Sequence, residues 1–159
     1  MTVRRMDNVS IVVANLPAAV AFFRELGLNV EGEATVEGAW VDQCVGLDNV
    51  KSDIAMMVTP DGHSRIELTR FHRPAPVART PHPYPANALG ISRIMFAVED
   101  IDDTVARLGK HGGEVVREIV QYQSFYRLCY LRGPEGILLA LAQQLTAGSE
   151  DELSTKNRA

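Results

Sequence analysis

The chain has 159 residues, a net charge of −4 and a hydrophobic content of 46%. Its length allows one domain, or two half-size modules that share a core. The acidic balance argues against broad binding to nucleic acids or anionic membranes, which needs concentrated Lys and Arg. No stretch approaches the ~20 apolar residues of a membrane span, and we expect no signal peptide. Cys44 and Cys129 are isolated thiols rather than a disulfide framework, so a cytoplasmic location is expected.

The first half of the chain predicts a strand, a helix and three further strands. In residues 8–14 apolar side chains alternate as they do in a half-buried strand. The following helix begins at Leu16, with Asn15 as its N-cap, and Gly27 is expected to end it. Further strands are predicted at residues 28–36, 52–59 and 64–71. The segment 37–50 has no clear period and receives no assignment.

The second half repeats this order. A strand over about 90–98 leads into a helix that begins at Ile101, with Asp100 as its cap, and Gly112-Gly113 is expected to end it. Three strands follow, near residues 114–121, 125–132 and 137–143. A repeated strand–helix–strands unit in so short a chain indicates two modules packed as one body.

The predicted organisation is a single domain over residues 1–145. It consists of modules 6–71 and 90–145, joined by a proline-rich extended linker at 72–89. The polar segment 146–159 lacks periodicity and is expected to be a flexible tail.

The strands that flank the two helices have one uniformly apolar face, which should pack beneath those helices. The opposite face is polar or small: it carries Asn8, Ser10, Arg65, Glu67, Thr69, Arg93, Met95, Ala97, Leu138, Ala140 and Ala142. Alternation alone allows two interpretations, a solvated outer sheet face or the lining of a cavity in a curled sheet. The small side chains at Ala97, Ala140 and Ala142 favour the cavity.

Residues 8–28, 60–71, 97–108 and 134–141 resemble the vicinal oxygen chelate superfamily, which includes glyoxalase I, bleomycin-resistance proteins and extradiol dioxygenases. With the intervening segments, the resemblance covers about residues 6–145. It implies an α+β fold of two tandem βαβββ modules, which form a curved, incomplete mixed β-barrel with a central cleft and helices packed outside. Many members are dimers, so a homodimer is expected. Because the superfamily isomerises, cleaves, opens rings and sequesters drugs, the resemblance leaves the chemistry open.

Metal-dependent members of the superfamily place one ligand on the first strand and one on the last strand of each module. The matching positions are Asn8, Glu67, Arg93 and Ala140, where the family has His or Gln, Glu, His or Gln, and Glu. Only Glu67 fits, because Ala140 has no donor atom and Arg93 does not give up its proton. The resemblance therefore implies that the usual divalent metal is absent, and no cofactor is expected.

We expect Arg93 to replace the missing cation and to pair with Glu67 in a shared cavity, with a further hydrogen bond from Asn8. An unpaired carboxylate would be costly to bury there. Three interpretations stay open: a buried tie between modules, a catalytic pair in which Glu67 moves a proton while Arg93 holds a substrate oxyanion, and a cavity that only binds. The other predicted ligand contacts are Asn8, Ser10, Arg65, Thr69, Met95, Ala140 and Tyr126.

The predicted function is a lyase- or isomerase-type proton transfer on a small organic molecule. One alternative is a protein that sequesters a drug or metabolite, as the bleomycin-resistance branch does. A second is a metal-dependent lyase or dioxygenase with a non-standard site that includes His72, which continues the strand of Glu67. The aromatic side chains at Tyr122, Phe125, Tyr126 and Tyr130 would suit a flat ligand in any of these cases.

Overall fold

The computed structural model describes residues 3–145, which form two sheets and three α-helices. The first half contains β1 (Val9–Val12), α1 (Leu16–Leu26), β2 (Asn29–Glu37), α2 (Ala39–Val45), β3 (Lys51–Val58) and β4 (Arg65–Arg73). The second half contains β5 (Arg93–Ala97), α3 (Ile101–Gly109), β6 (Glu114–Val115), β7 (Val120–Tyr122), β8 (Tyr126–Arg132) and β9 (Leu138–Gln144). The predicted tail at 146–159 lies outside the described residues.

Each half forms its own mixed sheet. The first has the order β1-β4-β3-β2 and the second the order β5-β9-β8-β6, with β7 paired to β8. β1 is parallel to β4, and β5 is parallel to β9, while the other pairs are antiparallel. This arrangement confirms the predicted α+β fold of two βαβββ units whose sheets are not closed into a barrel. It also leaves β1 and β5 at the ends of their sheets.

The predicted helix signals are confirmed where each long helix begins. The Asn15 side chain accepts a hydrogen bond from the backbone N–H of Ala18 at 3.0 Å, and Asp100 accepts one from Asp103 at 2.9 Å. Gly27 ends α1 with a φ of 113°, which glycine adopts without steric cost. No helix in the described part of the chain is long and apolar enough to cross a bilayer.

The apolar faces of both sheets and the two long helices form one shared core. Its members include Ile11, Val13, Phe22, Phe23, Met57, Leu68, Ile101, Leu108, Leu131, Leu139 and Leu141. Burial of a side chain of this size contributes about 1.5–3 kcal/mol. Close packing between the modules is visible at Gly133, where an added Cβ would stand 3.2 Å from Cζ of Phe22. Because the core uses one face of each sheet, the polar and small side chains are left on the other face.

The structure supplies what the sequence left unassigned. Helix α2 forms within 37–50 between Gly38 and Gly46, and it lacks a visible period because Val41 is its only buried residue, while Trp40 is 66% exposed. Residues 74–92 contain neither helix nor strand, and β4 extends through residues 72–73 of the predicted linker. Within this segment Tyr84 is buried, and its backbone carbonyl accepts a hydrogen bond from Arg132 of β8.

Candidate functional site

Glu67 lies on the outer face of the first sheet, among hydroxyl groups. The parallel register pairs Ser10 of β1 with Glu67 of β4. Oε1 of Glu67 accepts hydrogen bonds from Oγ1 of Thr69 at 3.0 Å and from Oγ of Ser10 at 3.2 Å, and the two hydroxyls are 3.3 Å apart. Within residues 3–145 no group donates to Oε2. The carboxylate is therefore oriented through one oxygen and can accept a proton at the other.

Arg93 lies on the outer face of the second sheet and stacks on an aromatic ring. Its guanidinium carbon is 5.2 Å from the centroid of the Tyr130 ring, which is a favourable cation–π distance. β9 lies between the strands of these two residues, and its Ala140 is paired with Met95 on one side and Tyr130 on the other. Arg93 therefore reaches across β9. A side chain as small as that of Ala140 leaves room for this crossing.

The predicted pairing of Arg93 with Glu67 is not formed within one chain. Among the described residues no ion pair joins them. Asn8, the third group expected there, makes no side-chain hydrogen bond to Glu67, and Ser10 and Thr69 take that place. The physical reason is topological: Glu67 and Arg93 belong to separate sheets, and no strand pairing joins the edge strands β1 and β5 within residues 3–145. The interpretation as a buried tie does not apply to this arrangement, since Arg93 is exposed.

A cavity of about 880 Å³ lies along the open edge of β5, facing the turn between β3 and β4. Of the predicted site residues, Arg65, Arg93 and Met95 line it, and Glu67 does not. The charge of Arg65 is already balanced, because its guanidinium donates two hydrogen bonds of 2.6 Å to Glu31. That contact lowers the pKa of the Glu31 carboxyl. Arg65 therefore acts as part of an internal ion pair beside the cavity.

The remaining predicted contacts lie on the outer face of the second sheet. Met95 is 56% exposed, Ala140 is 2% exposed and Tyr126 is half-buried. Ala140 is covered by its neighbours rather than open to solvent, so its contribution is the space that it leaves for Arg93.

The sequence analysis missed a second arginine–tyrosine cluster beside this face. The ring of Tyr84, in the linker, lies between the guanidinium groups of Arg79 at 4.9 Å and Arg132 at 5.6 Å. Arg132 also donates to the backbone carbonyl of Tyr84 at 2.7 Å. Arg132 and Arg93 flank Leu138 in register. The available signal for this cluster was a tyrosine within a proline-rich segment, but the local sequence does not predict which residues that tyrosine contacts.

The side chains at the four family ligand positions do not fit a divalent metal. Asn8 and Glu67 offer oxygen atoms, but Ala140 offers no donor and Arg93 presents a cation. Within residues 3–145 no three His, Cys, Asp or Glu side chains are placed to hold an ion.

His72, the residue considered for a non-standard metal site, has a different environment. Its Nε2 lies 2.6 Å from Oδ2 of Asp53, whose Oδ1 accepts a hydrogen bond from Thr35 at 2.6 Å. Thr35 and then His72 lower the pKa of the Asp53 carboxyl. Strand alternation places His72 on the side of β4 opposite to Glu67. The two residues therefore do not share a site.

The vicinal oxygen chelate fold consists of two mixed sheets, each built from one copy of a duplicated unit. In each sheet of this chain, the first and last strands of the unit are paired in parallel. The chain belongs to the Glyoxalase/Bleomycin resistance protein/Dioxygenase superfamily, whose family model matches residues 5–141.

Individual relatives agree with this assignment. The chain is 57% identical to a glyoxalase family protein from Bacillus cereus, with a TM-score of 0.87 over 92% of this chain and 97% of that one. It is 27% identical over 142 residues to the uncharacterized protein YaeR of Escherichia coli, covering 89% of this chain and 97% of the relative. The trypanothione-dependent glyoxalase I of Leishmania major is 20% identical with a TM-score of 0.65 over 98% of each chain, a likeness of fold alone.

Proposed function

We propose that this protein catalyses a lyase- or isomerase-type proton transfer on a small organic molecule, with Glu67 as the base. The observation that carries the proposal is the environment of the carboxylate. Two hydroxyl groups hold Oε1 in place, while Oε2 has no donor within residues 3–145. A base needs this combination of fixed orientation and an available lone pair.

Arg93 would supply the positive charge that a metal supplies in other members of the superfamily. A guanidinium stays protonated at any ordinary pH, and the contact with Tyr130 restricts its position. A fixed cation beside the substrate oxygen stabilises the negative charge that develops when a neighbouring carbon loses its proton. In this proposal no divalent metal takes part, because a cation and an alanine occupy two of the four ligand positions.

The proposed site is completed by a second copy of the chain. β1 and β5 are edge strands whose backbone groups on one side have no partner strand within residues 3–145. Exposed apolar side chains accompany them, including Val12, Ile91 and Met95. In a homodimer that joins β1 of one chain to β5 of the other, the sheet face of Glu67 would continue into the sheet face of Arg93. The small-molecule ligand would then bind between the two faces.

Substitution of Glu67 by Gln tests the role of the base. A small-molecule library is screened by the rise in melting temperature, and each hit is assayed for turnover. In Glu67→Gln we expect turnover to fall by ~10²-fold or more, because loss of a general base typically costs that much. The melting-temperature shift with ligand should remain. Glu118→Gln, an exposed carboxylate between β6 and β7, is the control and should leave both unchanged.

Sequestration without turnover is the second candidate function. The arginine–tyrosine face of the second sheet favours it, because Arg93 offers a free cation to an anion there while the proposed base, Glu67, lies on the other sheet. A set of ligands that raise the melting temperature, none of them altered after prolonged incubation with the protein, would support sequestration over catalysis.

A cytoplasmic location is the remaining part of the proposal. Cys44 is exposed and Cys129 is buried, and both are free thiols. Burial raises the pKa of the Cys129 thiol, which makes it a poor nucleophile. Unpaired cysteines fit a reducing compartment.

A further inference from the structure

We infer that the ligand of this site is a carboxylate attached to a flat, conjugated group. The inference deepens the proposed function, since it names the substrate class of the same site. It rests on the free hydrogen-bonding capacity of Arg93, on the charges around it and on the shape of the surface beside it.

The guanidinium of Arg93 has its full set of donors available. It makes no hydrogen bond and no ion pair with any residue in 3–145, and it stacks on the ring of Tyr130. A guanidinium has five N–H donors in a planar fork that matches the two oxygens of a carboxylate. Because the stacked ring already restricts the side chain, less conformational entropy is lost when the fork binds an anion.

The positive charges around Arg93 also favour an anionic ligand. Arg132 lies on the far side of Leu138 from Arg93, and Arg79 reaches the same Tyr84 ring as Arg132. In the described part of the chain none of these three arginines has an acidic partner within 4.0 Å. Glu114 of β6 is in register with Arg132 and supplies one negative charge against these three arginines, so an excess of positive charge remains.

The donors favour a carboxylate over a phosphate. Two N–H groups of Arg132 are already bound to the carbonyls of Gly136 and Tyr84, so Arg93 is the arginine of this row with a free fork. One fork satisfies a planar monoanion with two oxygens. A phosphate dianion has three acceptor oxygens, which the single fork of Arg93 does not satisfy, and the guanidinium of Arg79 is placed at the Tyr84 ring rather than beside Arg93.

The exposed surface next to Arg93 is apolar, which suits a flat, conjugated group. Along the strand direction the row of Met95, Ala140 and Tyr130 is followed by a row of Ala97, Ala142 and Leu128. Ala140 and Ala142 are covered, at 2% and 8% exposure, so the open part of the two rows lies on β5, where Met95 and Ala97 are exposed. Met95 is exposed beside Arg93 and offers a polarizable thioether to an aromatic ring. A planar ring can lie with one face against the exposed Met95 and Ala97, whereas a saturated ring would contact these side chains through fewer of its atoms.

Isothermal calorimetry on the full chain tests the inference with four matched probes. These are 2-naphthoate, the neutral 2-naphthamide, the non-planar decahydronaphthalene-2-carboxylate and 2-naphthyl phosphate. We expect 2-naphthoate to bind most tightly, with each of the other three weaker by about tenfold or more, the scale of one charge-assisted interaction. Equal binding of the amide, of the saturated acid or of the phosphate would overturn the inference, and so would absence of 2-naphthoate binding at millimolar concentration.

Variants assign the binding to Arg93. Arg93→Met should weaken 2-naphthoate by about tenfold or more. Arg127→Met is the control: Arg127 is on β8 like Tyr130, but it faces the other side and is bound to Asp102, so its removal should leave affinity unchanged. Tyr130→Phe should retain binding and Tyr130→Leu should weaken it, with melting temperatures confirming that each variant folds. Unchanged affinity in Arg93→Met would refute the assignment.

The two proposals can fail separately. If 2-naphthoate binding depends on Arg93 but Glu67→Gln retains turnover, the ligand class stands and the base is wrong. If Glu67→Gln abolishes turnover while 2-naphthoate binds no better than its amide, the base stands and the ligand class is wrong.

Discussion

The Arg93 guanidinium stacks on the Tyr130 ring from two strands away, and the strand between them carries Ala140. The contact couples three residues that are distant in sequence. At Arg93, which the resemblance matches to a metal ligand of the family, the chain has a cation that contacts an aromatic ring. The small residue at 140 lies on the strand that this cation crosses.

Enlarging residue 140 should therefore displace Arg93. In Ala140→Leu the new side chain would fill the space through which Arg93 crosses, and we expect loss of the Arg93-dependent affinity for 2-naphthoate. Ala142→Leu is the matched control, since Ala142 is also buried on β9 but is paired with Ala97 and Leu128 rather than with Met95 and Tyr130. Both substitutions overpack the face and should cost about 1–3 kcal/mol of unfolding free energy, measured by urea denaturation. Equal affinity in the two variants would contradict the role assigned to Ala140.

A site shared between two chains predicts complementation. Glu67→Gln and Arg93→Met should each be inactive alone. In a mixture refolded at equal amounts, half the dimers contain one chain of each kind, and one of their two sites combines an intact Glu67 with an intact Arg93. The mixture should regain about one quarter of wild-type turnover, as expected for random pairing in a two-fold dimer. Mixing the folded dimers without refolding is the control, and an inactive refolded mixture would show that each site lies within one chain.

Restoring the family donors should create a metal site. The triple substitution Asn8→His, Arg93→His and Ala140→Glu, together with the native Glu67, provides two imidazoles and two carboxylates. We expect about one tightly bound Zn²⁺ or Ni²⁺ per site by elemental analysis after dialysis. The double variant that keeps Ala140 is the control and should hold less metal. If the triple variant binds no more than wild type, the correspondence between these four positions and the family ligands is wrong.

The contact of Asp53 with Thr35 and His72 should appear in the acid stability. These partners lower the pKa of the Asp53 carboxyl below its ordinary value of 3.8. A carboxyl whose pKa is lower in the folded state than in the unfolded state makes its full contribution to stability at a pH above its ordinary pKa. This contribution is lost as the pH falls through the pKa of the folded state. Thr35→Val should therefore narrow the difference in urea midpoint between pH 6 and pH 3, relative to wild type. Thr59→Val is the control, because it removes the same kind of hydrogen bond from the turn residue Asp61. Its effect on the urea midpoints shows how much such a contact to an exposed carboxyl contributes to the acid dependence of stability.

The sequence by itself determined the duplicated architecture. Alternating apolar residues in 8–14 and 90–98, with Asn15 and Asp100 at the helix starts, predict the strands and helices because these signals are local: a side chain and its backbone neighbours suffice. The same alternation separated the buried from the outer face of each sheet. Helix α2 could not be recognised in this way, since a helix with one buried residue carries no periodic signal.

Only the tertiary structure decided the partners of the two charged residues. Glu67 meets Ser10, which is 57 positions away, and Arg93 meets Tyr130 rather than Glu67. Such contacts depend on strand order and register, which bring together residues that no local pattern relates. The family resemblance pointed to a cation and an acid for the site, but the packing of two separate sheets determined that the cation stacks on a ring and the acid binds hydroxyls.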